Sequence, residues 1–568
     1  MKKTIAIILS LALLMSACAV GVSAATKDDD VDVSYAVAAD LHYNIPEEEL
    51  EWYSEDPIYG YANRRAAMEN ESGLIIDEML RQVAEDDNME FLLIAGDLAD
   101  NGKSTMAEHL AVSEKLKNFE ETSGKQVYII PGNHDYGIIG EYCETGAKEF
   151  KEVYADFGYD QAITTDGLSY TANLGDKYRL IALDSTDPSK STEDGMTDAK
   201  VQWVIDEAQK AYDDGRYPIL MMHHNLLDHL PIQRVLSHDF IIRNHTATAN
   251  KWADAGIKLV YTGHEHCSDA TTQTSTNGNT ISDFATTSLT MYPLQYRYVE
   301  MSEETITYEA KTVNSIDTDA LVEMVDGYSD EQIAEMNKGL NAFAKEFLKN
   351  GVEYRLERGF NDEQLGIKPG DIYYTLVRDV VDTFNDVLNM PLYGEGSAQE
   401  LAKQYNIDIP DSDYKDGWDV ATSLVAAHYE GEEDYPLYED DVKILFLMFS
   451  LVIKSEFDYI DDSELYKAAA AVIAAQNIES VDTIIKMISA QEEGVTAGEY
   501  LLVAIASPLL DSFANDDGVP DNNGAIDGYG YTDTGANISA SLGTTALDVA
   551  NAFYTFLRYI VKILNLWL

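Results

Sequence analysis

The sequence predicts an α/β domain followed by a mostly α-helical region. Three observations carry this. Short apolar runs alternate with helically spaced segments between about Val31 and Val313, the pattern of a strand–helix–strand chain. Beyond about Asp317 a helical period takes over, as in DEQIAEMNKGLNAFAKEFLKN and YEDDVKILFLMFSLVIKSEF. Histidine belongs to the first pattern: ten of the eleven lie at or before His266, and His428 is the only later one.

The elements follow in order. SYAVAA (Ser34–Ala39) reads as a strand, Leu74–Ala84 as a helix and MEFLLIA (Met89–Ala95) as a strand. Met106–Phe119 has helical spacing, and QVYII (Gln126–Ile130) reads as a strand. A helix near Ala147–Tyr154 precedes two strand-like runs, Ser169–Asn173 and Tyr178–Leu183. A helix at Ala199–Ala211 and strands at Tyr217–Met222 and Ile257–Tyr261 complete the alternation. Threonine- and tyrosine-rich runs then follow, TISDFATTSLTMY, LQYRYVEM and TITYEAKTV, with the character of antiparallel strands.

The domain reading is therefore residues 1–25 as a secretory signal, 31–315 as the α/β domain, and 316–568 as a helical C-terminal domain. The first segment has two lysines, an apolar run from Ile5 to Met15, and then small residues. Val22-Ser23-Ala24 fits a small-x-small cleavage site. Leu14–Cys18 resembles a lipobox with Met15 where leucine is usual, so secretion is preferred over lipid anchoring at Cys18. Residues 511–543 hold an acidic, glycine-rich stretch. Asn515, Asp517 and Asp521 there are ligand types of calcium loops, but their spacing fails an EF-hand, and a solvated loop is the expectation. Residues 545–568 read as an amphipathic helix whose polar stripe runs from Asp548 to Asn565. Burial against its own domain is the preferred reading. Peripheral contact with the cell envelope is the alternative.

The net charge of −61, from 100 acidic and 39 basic residues, repels nucleic acid and anionic membranes and argues against a nucleic-acid partner. Once Cys18 is set aside, Cys143 and Cys267 are too few for a disulfide scaffold, although one bridge between them is possible in an oxidising compartment. The residues do not specify an oligomeric state.

Five apolar runs end in residues that can bind metals. AADLHYN gives Asp40 and His42, IAGDLAD gives Asp97 and Asp100, and IPGNHDY gives Asn133, His134 and Asp135. LMMHHN gives His223 and His224, and TGHEHC gives His264 and His266. Singly, each block is a turn, a cap or a core histidine. Together they fall where an open α/β sheet gathers functional groups, at the carboxyl ends of its strands. Carboxylates, an amide and imidazoles form an oxygen and nitrogen set suited to zinc, iron or manganese. They are too many for one tetrahedral ion, and two ions about 3.5–4 Å apart would use them all.

The ordered blocks DLH, GDLAD, GNHD, HH and GHEH resemble the calcineurin-like metallophosphoesterase superfamily over Asp40–His266. The resemblance implies a four-layer α/β/β/α sandwich and two divalent or trivalent metal ions (Mn, Fe or Zn). It makes Asp40, His42 and His266 ligands of one ion, and Asn133, His223 and His264 ligands of the second. Asp97 would bridge both ions. His134 would assist the leaving group, and Asp100 would orient it. Asn225 follows His224 where many relatives have proline, which leaves the substrate side of the pocket open.

The function expected is hydrolysis of a phosphomonoester or phosphodiester, with a small organophosphate as substrate, by attack of a hydroxide held between the ions. A cyclic nucleotide or sphingomyelin-type phosphodiesterase is the alternative within that class. Outside it stands a surface interaction protein with a vestigial phosphoesterase domain. The complete set of ligands counts against that alternative. His109, His229, His238, His245 and His428 are expected to be packing or surface residues.

Overall fold

The structure is a computed structural model. It describes residues 31–431 with gaps, chiefly within 53–59, 230–238 and 360–384, and resumes at 520–530. The expected signal segment, Cys18, the helix at 545–568 and the helical run from Tyr438 to Phe457, except for Ile444 and Met448, lie outside the described residues.

Two sheets and their helices alternate along the chain. The elements are β1 (Val33–Ala38), α1 (Ser72–Glu85), β2 (Phe91–Ile94), α2 (Met106–Ser123), β3 (Gln126–Ile129) and α3 (Ala147–Val153). Next come β4 (Thr164–Asp166), β5 (Ser169–Leu174), β6 (Tyr178–Leu183), α4 (Asp198–Asp213), β7 (Tyr217–Met222), α5 (His245–Asp254) and β8 (Leu259–Thr262). Four strands follow: β9 (Asp269–Thr274), β10 (Thr280–Ala285), β11 (Gln295–Met301) and β12 (Thr305–Thr312). The helices α6 (Thr318–Met324), α7 (Asp330–Lys338), α8 (Leu340–Gly359), α9 (Ala398–Gln404) and α10 (Gly417–Glu430) precede a last strand, β13 (Asn523–Asp527).

One sheet has the order β13-β12-β11-β1-β2-β3, the other β4-β5-β6-β7-β8-β10-β9. Strands β1, β2 and β3 are parallel, as are β6, β7, β8 and β10. The strands are apolar on both faces because both faces are covered. Val37, Leu93, Tyr128, Leu180, Met221 and Tyr261 meet between the sheets. The Tyr35 hydroxyl bonds that of Tyr261 there at 2.8 Å, so the layer buries a paired polar group. On the outer face of the first sheet, Leu92 and Ile94 pack with Ile75, Met79, Val112 and Leu116 of α1 and α2. On the outer face of the second, Ile181, Leu220 and Val260 pack with Val204 of α4 and Trp252 of α5. The result is the expected α/β/β/α sandwich.

Two features depart from the sequence reading. The segment 520–530, expected as a solvated loop, supplies β13, which pairs antiparallel with β12. Asp521 is buried, and its carboxylate accepts from Ala270 N at 2.8 Å. Helices after residue 315 pack onto the α/β domain. Leu321, Val325, Met336, Leu340, Phe347 and Ala426 of the helices share one core with Leu289 and Tyr292. The single periodic run at 330–350 is two helices, because α7 ends at Gly339 and α8 starts at the next residue. No helix among the described residues is long and apolar enough to cross a membrane.

Candidate metal centre

The five motif blocks leave the carboxyl ends of β1, β2, β3, β7 and β8, all parallel strands, and so reach one edge of the sandwich. Ligand atoms of Asp40, His42, Asp97 and His266 lie within 4.8 Å of one another, as do those of Asp97, His223 and His264. Asp97 belongs to both sets. Asn133 joins the second set, with its Oδ1 at 2.9 Å from His223 Nε2. The structure thus brings all seven expected ligand residues together.

The backbone there is strained. Asp40, His42, Asp97, His264 and His266 all have φ between 41° and 70°, a region that residues other than glycine rarely adopt. Such conformations persist only where the surroundings over-determine them. Asp40 Oδ2 accepts from His264 N at 2.9 Å, and Asp97 Oδ1 accepts from His134 N at 2.8 Å. Gly132 and Gly263 allow this closeness, since a Cβ on them would strike the Asp97 and Asp40 carboxylates respectively.

The remaining atoms fit a pair of cations. Asp40 Oδ1, Asp97 Oδ2 and His264 Nε2 are buried and make no hydrogen bond. Buried polar atoms seldom lack a partner, and three converging ones are what a cation site requires. Asp40 Oδ1 stands 3.2 Å from His266 Nε2, and Asp97 Oδ2 stands 3.3 Å from His223 Nε2.

Other contacts fix the rings. His223 Nδ1 donates to Ala95 O at 2.9 Å, and Asn133 Nδ2 donates to Ser191 O at 2.8 Å, which turns the amide oxygen toward the site. Burial holds His42 and His264 below the usual histidine range, leaving neutral imidazoles. Burial opposes ionisation of Asp97, but His223, His134 and His42 outweigh it and keep the carboxyl well below its usual range. Burial lowers His223 too, yet Asp97 lifts it to about 9. A cation bound at this pair would displace that proton.

His134 stands at the rim with its side chain 34% exposed. Its Nδ1 donates to the backbone carbonyl of Asp100 at 2.6 Å. The Asp100 carboxylate lies 4.0 Å from that nitrogen and instead accepts from His42 Nδ1 at 3.1 Å. Orientation of His134 by Asp100 therefore runs through the main chain, because the short turn Asp97–Asp100 spends the carboxylate on His42.

Asp135 and His224, read from the sequence among the metal-type residues, serve as supports, a role the sequence did not reveal. Asp135 Oδ1 accepts from Leu98 N and Ala99 N, and Oδ2 from Gly132 N, tying two motif loops together. His224 is held between Ser185 Oγ at 2.9 Å and Thr192 O at 2.8 Å. Among the packing histidines, His229 Nδ1 donates to Asp269 at 2.6 Å, and Nε2 lies 3.2 Å from Asp283. Cys143 and Cys267 form no disulfide.

A four-layer sandwich carrying this oxygen and nitrogen set at its strand ends defines a metal-dependent phosphoester hydrolase. Residues 34–268 match the family model described as calcineurin-like phosphoesterase. No curated protein matches the sequence. Among solved structures, a dimetal phosphatase from Danio rerio is similar at 11% identity and a TM-score of 0.38, covering 50% of this chain and 97% of its own. A 5'-nucleotidase from Candida albicans is similar at 13% identity and a TM-score of 0.27, covering 58% of this chain and 57% of its own. Vacuolar protein sorting 29 from Cryptosporidium parvum is similar at 11% identity and a TM-score of 0.22, covering 50% of this chain and 93% of its own.

Proposed function

We propose that the chain is a secreted two-metal phosphoesterase that hydrolyses small organophosphate mono- or diesters. The observation that carries this is Asp97, whose Oδ2 lies 3.3 Å from His223 Nε2 in one ligand set and 3.7 Å from His42 Nε2 in the other. One ion is assigned to Asp40, His42, Asp97 and His266, the other to Asp97, Asn133, His223 and His264. When bound, the two ions supply a water-derived nucleophile at neutral pH and offset charge on the phosphoryl oxygens.

The protein's own groups do the rest. A carboxylate is the side chain small and anionic enough to serve both sets, and Asp97 Oδ1 is pinned by His134 N so that Oδ2 keeps its aim. His42 donates a hydrogen bond from Nδ1 to the Asp100 carboxylate and keeps Nε2 for the site. Because Nδ1 already donates to Asp100 O, His134 must carry a second proton, on Nε2, to protonate the leaving oxygen.

Within this class, an apolar diester is a second reading. Ile138, Ile139 and Tyr142 are exposed on the loop that follows His134. Parent and Asp97→Asn proteins, assayed with p-nitrophenyl phosphate, its bis-ester and a choline phospholipid under manganese, zinc and iron, test the proposal. Hydrolysis that falls by at least about 100-fold in the variant is expected. A parent inert toward all three substrates, or a variant as active as the parent, contradicts it.

A further inference from the structure

The turn Gly263–Ser268 carries two histidines in a strained conformation, His264 at φ 70° and His266 at φ 66°. Both of its ends must therefore be held. The leading end is held inside the sandwich. His264 N donates to Asp40 Oδ2 at 2.9 Å, and Asn225 Nδ2 donates to Gly263 O at 3.1 Å.

The trailing end is held from far along the chain. Ser268 is buried, and its N–H donates to Tyr429 O, at the end of α10, at 3.1 Å. Its Oγ donates to Asn522 Oδ1 at 2.9 Å, and Asn522 Nδ2 donates to Glu430 O at 2.6 Å. Asn522 thus joins the helix end and the turn through one amide. Behind them lies Arg297, fully buried, whose Nη2 donates to Ser268 Oγ at 3.0 Å and whose Nη1 donates to Asp521 O. The fit is close, because Gly431 has φ 73° and a Cβ there would strike Ser268 O.

We infer that Asn522 is a positioning residue for the metal centre. With Tyr429 and Glu430 it clamps Ser268, and this sets the turn that presents His264 and His266. The end of α10 and the segment around Asn522 then complete the ligand geometry of the sandwich rather than following it as an appendage. The inference rests on the two-metal reading for its consequence, but the clamp is a property of the turn itself.

The test uses the full chain as the parent protein, Asn522→Ala, and Tyr529→Phe as a control. Tyr529 anchors the same segment through Pro218 O and Lys258 N, away from Ser268. Amide exchange and manganese retention against a chelator are measured on each. In Asn522→Ala, exchange at residues 263–268 is expected to quicken by about 10-fold or more without metal present. Affinity at the Asp40–His42–His266 set is expected to fall about 10- to 100-fold, the scale on which outer groups tune a metal site. In Tyr529→Phe both readouts are expected to stay with the parent.

Parent-like exchange in Asn522→Ala overturns the inference, as does equal loss in Tyr529→Phe. Faster exchange with parent-like manganese retention also overturns it, since Asn522 would then be only a structural clip. A parent that takes up neither manganese, zinc nor iron removes the two-metal reading, and the exchange arm still decides the clamp.

Discussion

His109 shows how a single buried side chain can tie stability to pH. It lies on α2, and its Nε2 donates to Asp135 O at 2.8 Å while Nδ1 accepts from the Tyr154 hydroxyl at 2.9 Å. Burial pushes its pKa down from 6.5 to about 4. The direction of the linkage follows. Above 6.5 the ring is neutral in both folded and unfolded chains, and its stabilisation is fully present. As the pH falls through the window from 6.5 to about 4, the unfolded chain takes up a proton that the folded one resists. Stability is lost across that window, by up to about 3 kcal/mol. Urea midpoints of the parent and His109→Gln between these limits check it. The gap between the two proteins should narrow as the pH falls, and a gap independent of pH contradicts the assignment. His109 matters to the site because it holds the carbonyl of Asp135, whose carboxylate fixes the loops bearing Asp97 and Asn133.

At the scale of elements, the strands that carry the site were legible because burial on both faces leaves short apolar runs. SYAVAA, MEFLLIA and QVYII needed no partner to be recognised, and each is followed at once by its ligand residues. Elements set by packing instead of composition were not legible. Helix α5, HTATANKWAD, is rich in threonine and asparagine, and it is held by Ala249, Trp252 and Ala253 against the second sheet. Strand β9, DATTQT, is an edge strand identified only by its pairing with β10. Strand β13 lies some two hundred residues from the strand it joins, and its glycines and aspartates resemble a loop. The ligands could be read because the motifs spell them out. Their supports could not, because Asp135 and Asn133 are held by main-chain groups that have no letter of their own. For the same reason the sequence placed the Asp100 carboxylate on His134, whereas the fold gives His134 the carbonyl.

Over the whole molecule, the sandwich and its helical region share a core. Leu289 and Tyr292 pack with Leu321, Val325, Leu340 and Phe347, and β13 covers the edge of β12. A chain ending at residue 315 would bare that apolar surface and leave β12 as an open edge. Such a fragment is expected to aggregate or to lose its near-ultraviolet circular dichroism. A soluble fragment with the parent's spectrum contradicts the shared core. The core and the Ser268 clamp act together: one fixes the helices on the sandwich, and the other uses their ends to hold the strained histidine turn. The central claim is that Asp97 serves two cations at once. It is tested most directly by loading the full chain with manganese or zinc, desalting it and counting metal per chain beside Asp97→Asn. Two ions in the parent and at most one in the variant are expected. A parent that keeps fewer than two, or a variant that still keeps both, contradicts the account.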